Sequence, residues 1–599
     1  MSTPTLNTAP SKHAGMGALP HDNCVGFRVW APHAAAVAVV GDFNQWAKDA
    51  HPLAQDGNGY WSADVSEARV GQEYRYNLTT PSGEFSRIDP YAREVTNSIG
   101  NSVIHDPHFN WDEDDYKTPP WNEWVIYELH VGTFNDVKPE NDKAATFTDI
   151  IRKFDHLKKL GVNVLQVMPV AEFAGNRSWG YNPAHMFAVE GTYGGPKAFK
   201  EFIKASHKSG FAVVLDVVYN HFGPSDLDIW QFDGWSEDGG GGIYFYQDWR
   251  KETPWGATRP DYGRPEVRQF IRDNALMWVE DYRIDGLRMD MTLYIRSVRA
   301  DGERNLPEGW SLLQMINGEI RTKHPNTLTI AEDLQNNSDM TDCVEHGGAG
   351  FGSQWDNQFV HPIREAVIAT ADEQRSMASV AHAITHRYND DAFQRVIYSE
   401  SHDEVANGRS RVVHEIAPDD PHNIFAQRRS TLAAALVMTS PGIPMLFQGQ
   451  EFLEGGWFRD TVPVDWEKRA EFKGIVRLYR DLIALRRNLH GTTRGLCGQH
   501  VKIVHLDDDH NMIAFHRWYE RGPNDDVVVV ANFSAVAKLG YTVPFPGAGK
   551  YKLLLNSDAK IYSEQFTETP SRDLEVGEDC AHTSVSVGPY SVLIYARQA

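Results

Sequence analysis

Short stretches in which every second residue is apolar fill the chain from about residue 22 to 115: GFRVWAP, VAVVGDF, GYWSADV and EYRYNL, parted by Gly, Asn, Asp and Pro. A period of two puts one face of a strand in a core and the other toward water, so this part is predicted to be a small β-sandwich. From about residue 120 the texture changes. Runs such as VNVLQVMPV (162–170), FAVVLDVVYNH (211–221) and NTLTIAEDL (326–334) are apolar without interruption, as strands buried on both faces must be. Helical patterns lie between them. In FTDIIRKFDHLKKLG, Phe147, Ile150, Ile151, Phe154, Leu157 and Leu160 share one face and Gly161 stops the run; KAFKEFIKASHKSG (197–210) stops the same way at Gly210.

This alternation predicts an α/β domain over 116–490, with parallel strands and helical crossovers in a (β/α)8 barrel or an open doubly wound sheet. Beyond residue 490 alternating strands return (NMIAFHRW, DDVVVVANFS, YSVLIYA), which predicts a second all-β sandwich over 491–599. Residues 1–21 carry neither pattern and read as a flexible tail. The glycine run 239–242 reads as a mobile loop; no GK[ST] follows and no helix opens there, so it is no phosphate cradle.

Composition narrows the function classes. A length of 599 residues suits several domains, and a net charge of −23 repels phosphate, which argues against nucleic acid or an anionic membrane but not against a neutral polysaccharide. No run of eighteen apolar residues occurs, so no membrane span is expected. Cys24, Cys343, Cys497 and Cys580 show no metal-like spacing. The first twenty residues lack the basic head and apolar run of an export signal, and a cytoplasmic setting is expected.

The candidate chemistry sits where the buried runs end. FAVVLDVVYNH finishes in Asp216, Asn220 and His221, DYRIDGLRMD in Arg288 and Asp290, TLTIAED in Glu332 and Asp333, and RVIYSESHDE in His402 and Asp403. In a barrel the carboxyl ends of the strands share one face, so these groups would converge on one cleft. One such acid is ordinarily a helix cap or a solvated turn. Four ends carrying Asp, Arg-x-Asp, Glu and His-Asp suit glycosidic cleavage, which needs an acid for the departing oxygen and a carboxylate for the oxocarbenium charge. Arg288, two residues before Asp290 on the same strand face, would hold the neighbouring carboxylate ionised.

DVVYNH (216–221), GLRMD (286–290), TIAED (329–333) and ESHDE (400–404) resemble, in order, the four signature regions of the α-amylase superfamily, glycoside hydrolase family 13. FRVWAP, GDFNQW and DPYAR look like the carbohydrate-binding β-sandwich that precedes the barrel in branching and debranching members. The resemblance implies a (β/α)8 barrel and a retaining mechanism. Asp290 would be the nucleophile, Glu332 the general acid/base and Asp403 the transition-state stabiliser, with the working pair about 5–5.5 Å apart. It also implies that Arg288, Asp216, His221 and His402 bind the sugar whose bond is cut, and that Tyr181, in SWGYNP, stacks on it; a tyrosine there is equally compatible with core packing. Asn220 matches a position that ligates calcium in some members. One oxygen is weak support for a cation that wants six or more, so no metal and no cofactor are expected.

Whether water or a sugar takes the glycosyl group depends on the acceptor site. ESHDE, TIAED and GLRMDMT resemble glucan branching enzymes, whereas DVVYNHFGP and WGYNPAHMFAVEGTYGG look like maltooligosyltrehalose trehalohydrolases and amylases. The expected partner is an α-glucan or maltooligosaccharide. The expected activity is 1,4-α-glucan branching, with hydrolysis as the alternative and a non-catalytic glucan-binding relative as a remote one. The Trp- and acid-rich runs IWQFDGWSED and YQDWRKETPW either line this cleft or pack as a surface loop, and Trp457 is another candidate sugar platform.

Overall fold

Eight short strands close the middle of the chain into a parallel barrel: β1 (Ile126–Leu129), β2 (Val164–Val167), β3 (Ala212–Val217), β4 (Gly286–Met289), β5 (Leu328–Ala331), β6 (Ser353–Trp355), β7 (Arg395–Ile397) and β8 (Ile443–Phe447), with β8 pairing back onto β1. The computed structural model describes residues 9–112, 115–135, 144–580 and 583–599. The open-sheet alternative is thereby excluded.

The barrel explains why its strands read as unbroken apolar runs. One set of alternate residues packs outward against the helices, among them Leu165, Val213, Leu215, Leu287 and Met289. The other set fills the barrel: Ile126, Val164, Ala212, Val214, Leu328, Ile330, Val396 and Met445. Two residues further along that inner face come Glu128, Gln166, Asp216, Arg288 and Glu332, all essentially buried. Strand pairing sets Glu128 beside Gln166 and Asp216 beside Arg288. The period of two therefore changes the barrel interior from hydrocarbon to charge toward the carboxyl ends of the strands.

Two excursions build the cleft over that face. After β2 a hairpin (Ala171–Phe173 with Pro183–Val189) carries the SWGYNP loop at its tip. After β3 the chain makes a long excursion before the helix Pro265–Glu280. The helix expected over 147–160 forms as two pieces, Phe147–Ile151 and Phe154–Leu160, and the Gly161 N–H closes the second on Leu157 O at 3.0 Å. Gly210 caps Gly195–Ser209 in the same left-handed manner.

Two antiparallel sheets precede the barrel, one built on Cys24–Trp30 and Tyr60–Val65, the other on Ala36–Gly41 and Glu73–Thr80. A six-stranded antiparallel sheet follows it, running from His500–Asp507 to Ser591–Arg597 in sequence.

Two expectations need correction. Residues 1–8 of the expected tail lie outside the described residues, but Gly17–His21 is a strand paired with Cys24–Trp30 through the two-residue turn Asp22–Asn23. GALPH shows no clean alternation and contains proline, which an edge strand tolerates because its outer N–H groups need no partner. The glycine run is also no loose loop. Gly240, Gly241 and Gly242 are buried, the Gln247 amide donates to Gly242 O at 2.8 Å, and Gly242 has φ +84°. A Cβ on Gly241 would stand 2.5 Å from the Phe245 ring, so these glycines allow close packing. Among the described residues, no helix is long and apolar enough to cross a membrane.

Candidate active site

Arg288 organises the cleft floor. Its side chain is fully buried, and its Nη1 donates to Asp216 Oδ2 at 2.6 Å and to Asp290 Oδ1 at 3.1 Å. Its Nη2 is 2.6 Å from Glu332 Oε2, so one guanidinium holds three carboxylates contributed by β3 and by the ends of β4 and β5. Trp355 lies against its face at 4.3 Å. A bare charge so deep would be costly; here three carboxyl groups surround it.

Each carboxylate has further partners. The Asn220 amide donates to Asp290 Oδ2 at 2.7 Å and to Asp290 O at 2.8 Å, while Asn220 Oδ1 meets His221 Nδ1. Asn220 is thus engaged in orienting Asp290 and His221. The Met291 N–H donates to Glu332 Oε2 at 2.9 Å. The Tyr181 hydroxyl donates to Asp216 Oδ2 at 2.7 Å, and the Tyr181 ring stacks on His402 at 5.1 Å. His221 Nε2 donates to Tyr181 O at 2.9 Å.

The octet YSESHDEV divides its charges between two jobs. His402 and Asp403 face the cleft, with the Asp403 side chain 40% exposed and 3.3 Å from His402 Nε2. Glu400 turns inward to Arg411 at 2.9 Å and to the Val412 N–H at 2.7 Å. Glu404 is held by His361, Arg364 and Arg409. Glu400 and Glu404 brace the loop that presents Asp403.

The electrostatics separate the acids. Burial pushes Glu332 well above the usual carboxyl range; Arg288 opposes this, and the nearby Asp290 and Asp403 push it further up. Burial raises Asp216 to about 7 in spite of Arg288. For Asp403 burial is outweighed by His402, and its pKa falls to about 2. Burial would lower His402, yet Asp403 and Glu128 together lift it well above the ordinary histidine value. The cleft therefore sets a carboxyl whose proton burial favours, at Glu332, near one that His402 keeps ionised, at Asp403, the division that acid-assisted cleavage of an acetal requires.

All eight residues singled out from the sequence, Tyr181, Asp216, His221, Arg288, Asp290, Glu332, His402 and Asp403, are joined in this network. Two partners were missed. Glu128 places one oxygen 2.7 Å from His402 Nδ1 and accepts the His402 N–H on the other at 3.0 Å. Trp355 backs Arg288 from β6. A charged residue inside the short apolar strand IYEL was the available signal for Glu128; SQW carries no comparable signal for Trp355. Replacing Glu128 by Gln should lower the His402 pKa, because one of its two carboxylates is lost. The alkaline limb of the pH–rate profile should then move to lower pH, with kcat down about 10-fold; an unchanged limb would remove this role.

The hairpin that bears Tyr181 stands on a buried pair, Glu172 and Glu190. Burial, then the Glu190 charge, raise Glu172 to about 8. Its folded pKa is above its unfolded one, so the folded form holds its proton longer and stability falls as pH rises from about 4.5 to about 8. Glu172→Gln should remove that fall, and thermal melts at pH 5 and pH 9 should show the variant gaining on the wild type at the higher pH.

The comparisons agree with this architecture. Residues 15–92 match the carbohydrate-binding module 48 family (isoamylase N-terminal domain), residues 130–231 and 234–475 the α-amylase catalytic domain, and 503–598 the α-amylase C-terminal all-β domain. The chain belongs to the α-amylase family, glycoside hydrolase family 13. Within that family it is 30% identical over 574 residues to 1,4-alpha-glucan branching enzyme GlgB of Pseudoalteromonas atlantica, covering 90% of this chain and 76% of the relative. It is 29% identical over 579 residues to the enzyme of the same name from Oceanobacillus iheyensis, covering 89% and 86%. Among solved structures, type I pullulanase of Bacillus subtilis with maltose superposes with TM-score 0.77 at 20% identity, over 98% of this chain and 86% of that one. Pullulanase of an Anoxybacillus species with maltotetraose gives 0.75 at 20% identity, over 98% and 88%; both likenesses concern the fold. The family places this chain among enzymes acting on α-glucans.

Proposed function

We propose that the protein is a 1,4-α-glucan branching enzyme, with Asp290 as nucleophile, Glu332 as general acid and base, and Asp403 as stabiliser of the oxocarbenium-like transition state. Like the expected sugar contacts of Tyr181, Asp216, His221, Arg288 and His402, these assignments rest on motif position and the geometry above. The Asp290 carboxylate attacks the anomeric carbon of an α-1,4-linked unit while the Glu332 proton passes to the departing oxygen. The C–O bond breaks and the oligoglucan is left as an ester on Asp290. Glu332, now ionised, takes the proton from the 6-hydroxyl of an acceptor glucan; that oxygen attacks the anomeric carbon and frees Asp290. Asp403, held ionised by His402, faces the positive charge in both steps.

The observation that supports transfer over hydrolysis is the match, over about 90% of this chain and 76% of the relative, to a protein bearing the branching-enzyme name. Amylose incubated with the protein should lose its iodine colour and yield short chains on isoamylase treatment, with little rise in reducing ends. A steep rise in reducing ends without new 1,6 links would instead make the protein a hydrolase.

A further inference from the structure

The polar face of the strand Cys24–Trp30 is covered by the segment that leads into it. Cys24, Gly26 and Arg28 share that face, and on the neighbouring strand Tyr60–Val65 Asp64 stands opposite Gly26 and Ser62 opposite Arg28. Residues 11–15 cross over it. The Ser11 N–H donates to Ser62 Oγ at 3.0 Å and the Lys12 N–H to Asp64 Oδ2 at 3.1 Å, while Arg28 Nη1 donates to the carbonyls of His13 at 2.9 Å and Gly15 at 3.1 Å. Gly26 leaves the room for this crossing: a Cβ there would stand 3.2 Å from Ser11 Oγ, 3.4 Å from Asp64 Oδ1 and 3.6 Å from the His13 Cβ.

The crossing brings together donors that no spacing along the chain connects. His13 Nε2 is 3.9 Å from Cys24 Sγ, and a carboxylate oxygen of Asp64 completes a group whose three donor atoms all lie within 4.8 Å of one another. A tetrahedral zinc ion with nitrogen at ~2.0 Å and sulfur at ~2.3 Å sets such donors ~3.5 Å apart, so small side-chain movements close the group on one ion. The His21 ring lies flat on that of His13, with centroids 3.5 Å apart, and steadies it. Asp64 is oriented as ligating carboxylates ordinarily are, by hydrogen bonds from the Ser11 hydroxyl to Oδ1 at 2.5 Å and from the Lys12 N–H to Oδ2.

The donor set selects the ion. One imidazole, one thiol and one carboxylate suit zinc, with water in the fourth position, whereas calcium and magnesium want a shell of oxygens. Asp342, Cys343 and His346 are the other such group among the described residues. They come from a single turn, in which Asp342 Oδ1 already accepts the Cys343 N–H at 2.8 Å and lies 3.2 Å from His346 Nδ1. Local turn chemistry accounts for that group; it does not account for three donors from three separate stretches of chain.

We propose that His13, Cys24 and Asp64 form a zinc site that clasps the leading segment onto the N-terminal module. One ligand comes from the crossing segment and one from each of the two strands beneath it, so the ion adds a cross-link to pieces of chain that hydrogen bonds already align. Binding replaces the thiol proton, which is released to solvent. None of the three residues belongs to the network around Arg288, and the site holds whether the enzyme branches or hydrolyses.

The test uses the full chain, stripped with EDTA and titrated with cobalt(II) alone as a spectroscopic stand-in for zinc. Cobalt should bind at one ion per chain with the near-ultraviolet absorption of a cobalt–thiolate bond, which stray binding to other histidines does not give, and zinc should displace it. Cys24→Ser should abolish that absorption and Cys343→Ser should leave it unchanged, while His13→Ala and Asp64→Asn should weaken binding about 10-fold or more. Zinc should raise the unfolding temperature of the wild type and leave that of Cys24→Ser where it is. Absence of the band at saturating cobalt, its survival in Cys24→Ser or its loss in Cys343→Ser would overturn the site, as would equal stabilisation of wild type and Cys24→Ser by zinc.

Discussion

Asp290→Asn should lower turnover of amylose about 10^4-fold or more while leaving the fold intact. Asparagine keeps the shape of the side chain and one acceptor oxygen; of the two donors that hold Asp290, Arg288 Nη1 on Oδ1 at 3.1 Å and the Asn220 amide on Oδ2 at 2.7 Å, one keeps its partner. It cannot form the glycosyl ester. Branch formation and reducing-end release should vanish together, since both need the same intermediate, and a thermal melt should place the variant within a few degrees of the wild type. Residual activity within about 10-fold of wild type would exclude covalent catalysis through this residue and the mechanism built on it.

Arg288→Met should have the largest combined effect on stability and rate. The guanidinium is the shared counter-charge of Asp216, Asp290 and Glu332, at 2.6, 3.1 and 2.6 Å. Removing it strands buried carboxylates, a change that costs about 3–5 kcal/mol in comparable buried pairs. The pH dependence has a definite sign. Burial already raises Asp216 to about 7 and Glu332 well above its ordinary range with Arg288 present. Without it both should rise further, so the folded variant holds protons that the unfolded chain releases near pH 4, and its stability should fall as pH rises above that value. Urea unfolding should therefore show a larger deficit at pH 8 than at pH 5, with activity lost at both. A deficit independent of pH would mean that Arg288 acts through packing alone.

Much of this site was legible because parallel strands buried on both faces leave an apolar run that stops where the chain reaches the cleft. FAVVLDVVYNH, DYRIDGLRMD, TLTIAED and RVIYSESHDE each lead to the cluster around Arg288. The shortest strands were harder to see. SQW at β6 has three residues and no run to recognise, and Glu128 sits inside IYEL where a period-two reading would expect a core residue. Its role depends on His402, 274 residues away in the chain, which no local pattern can express. The glycines at 240–242 were misread for a related reason: a residue without a side chain marks slack and tight packing alike, and the Phe245 ring that decides between them is known only from the folded chain.

The N-terminal module is tied to the long excursion after β3. Asp233, fully buried, accepts the His33 N–H at 3.0 Å and lies 2.8 Å from His33 Nδ1; Trp235 stacks on the same imidazole at 4.8 Å; Arg75 meets Asp228 at 2.8 Å, and Arg87 caps the carbonyls of Gln231 and Phe232. A recombinant barrel deprived of this module would leave Asp233 without its histidine and the excursion without its moorings. Gene shuffling that exchanged the module for another of similar outline would meet the same obstacle, so the two parts have to be inherited as a matched pair.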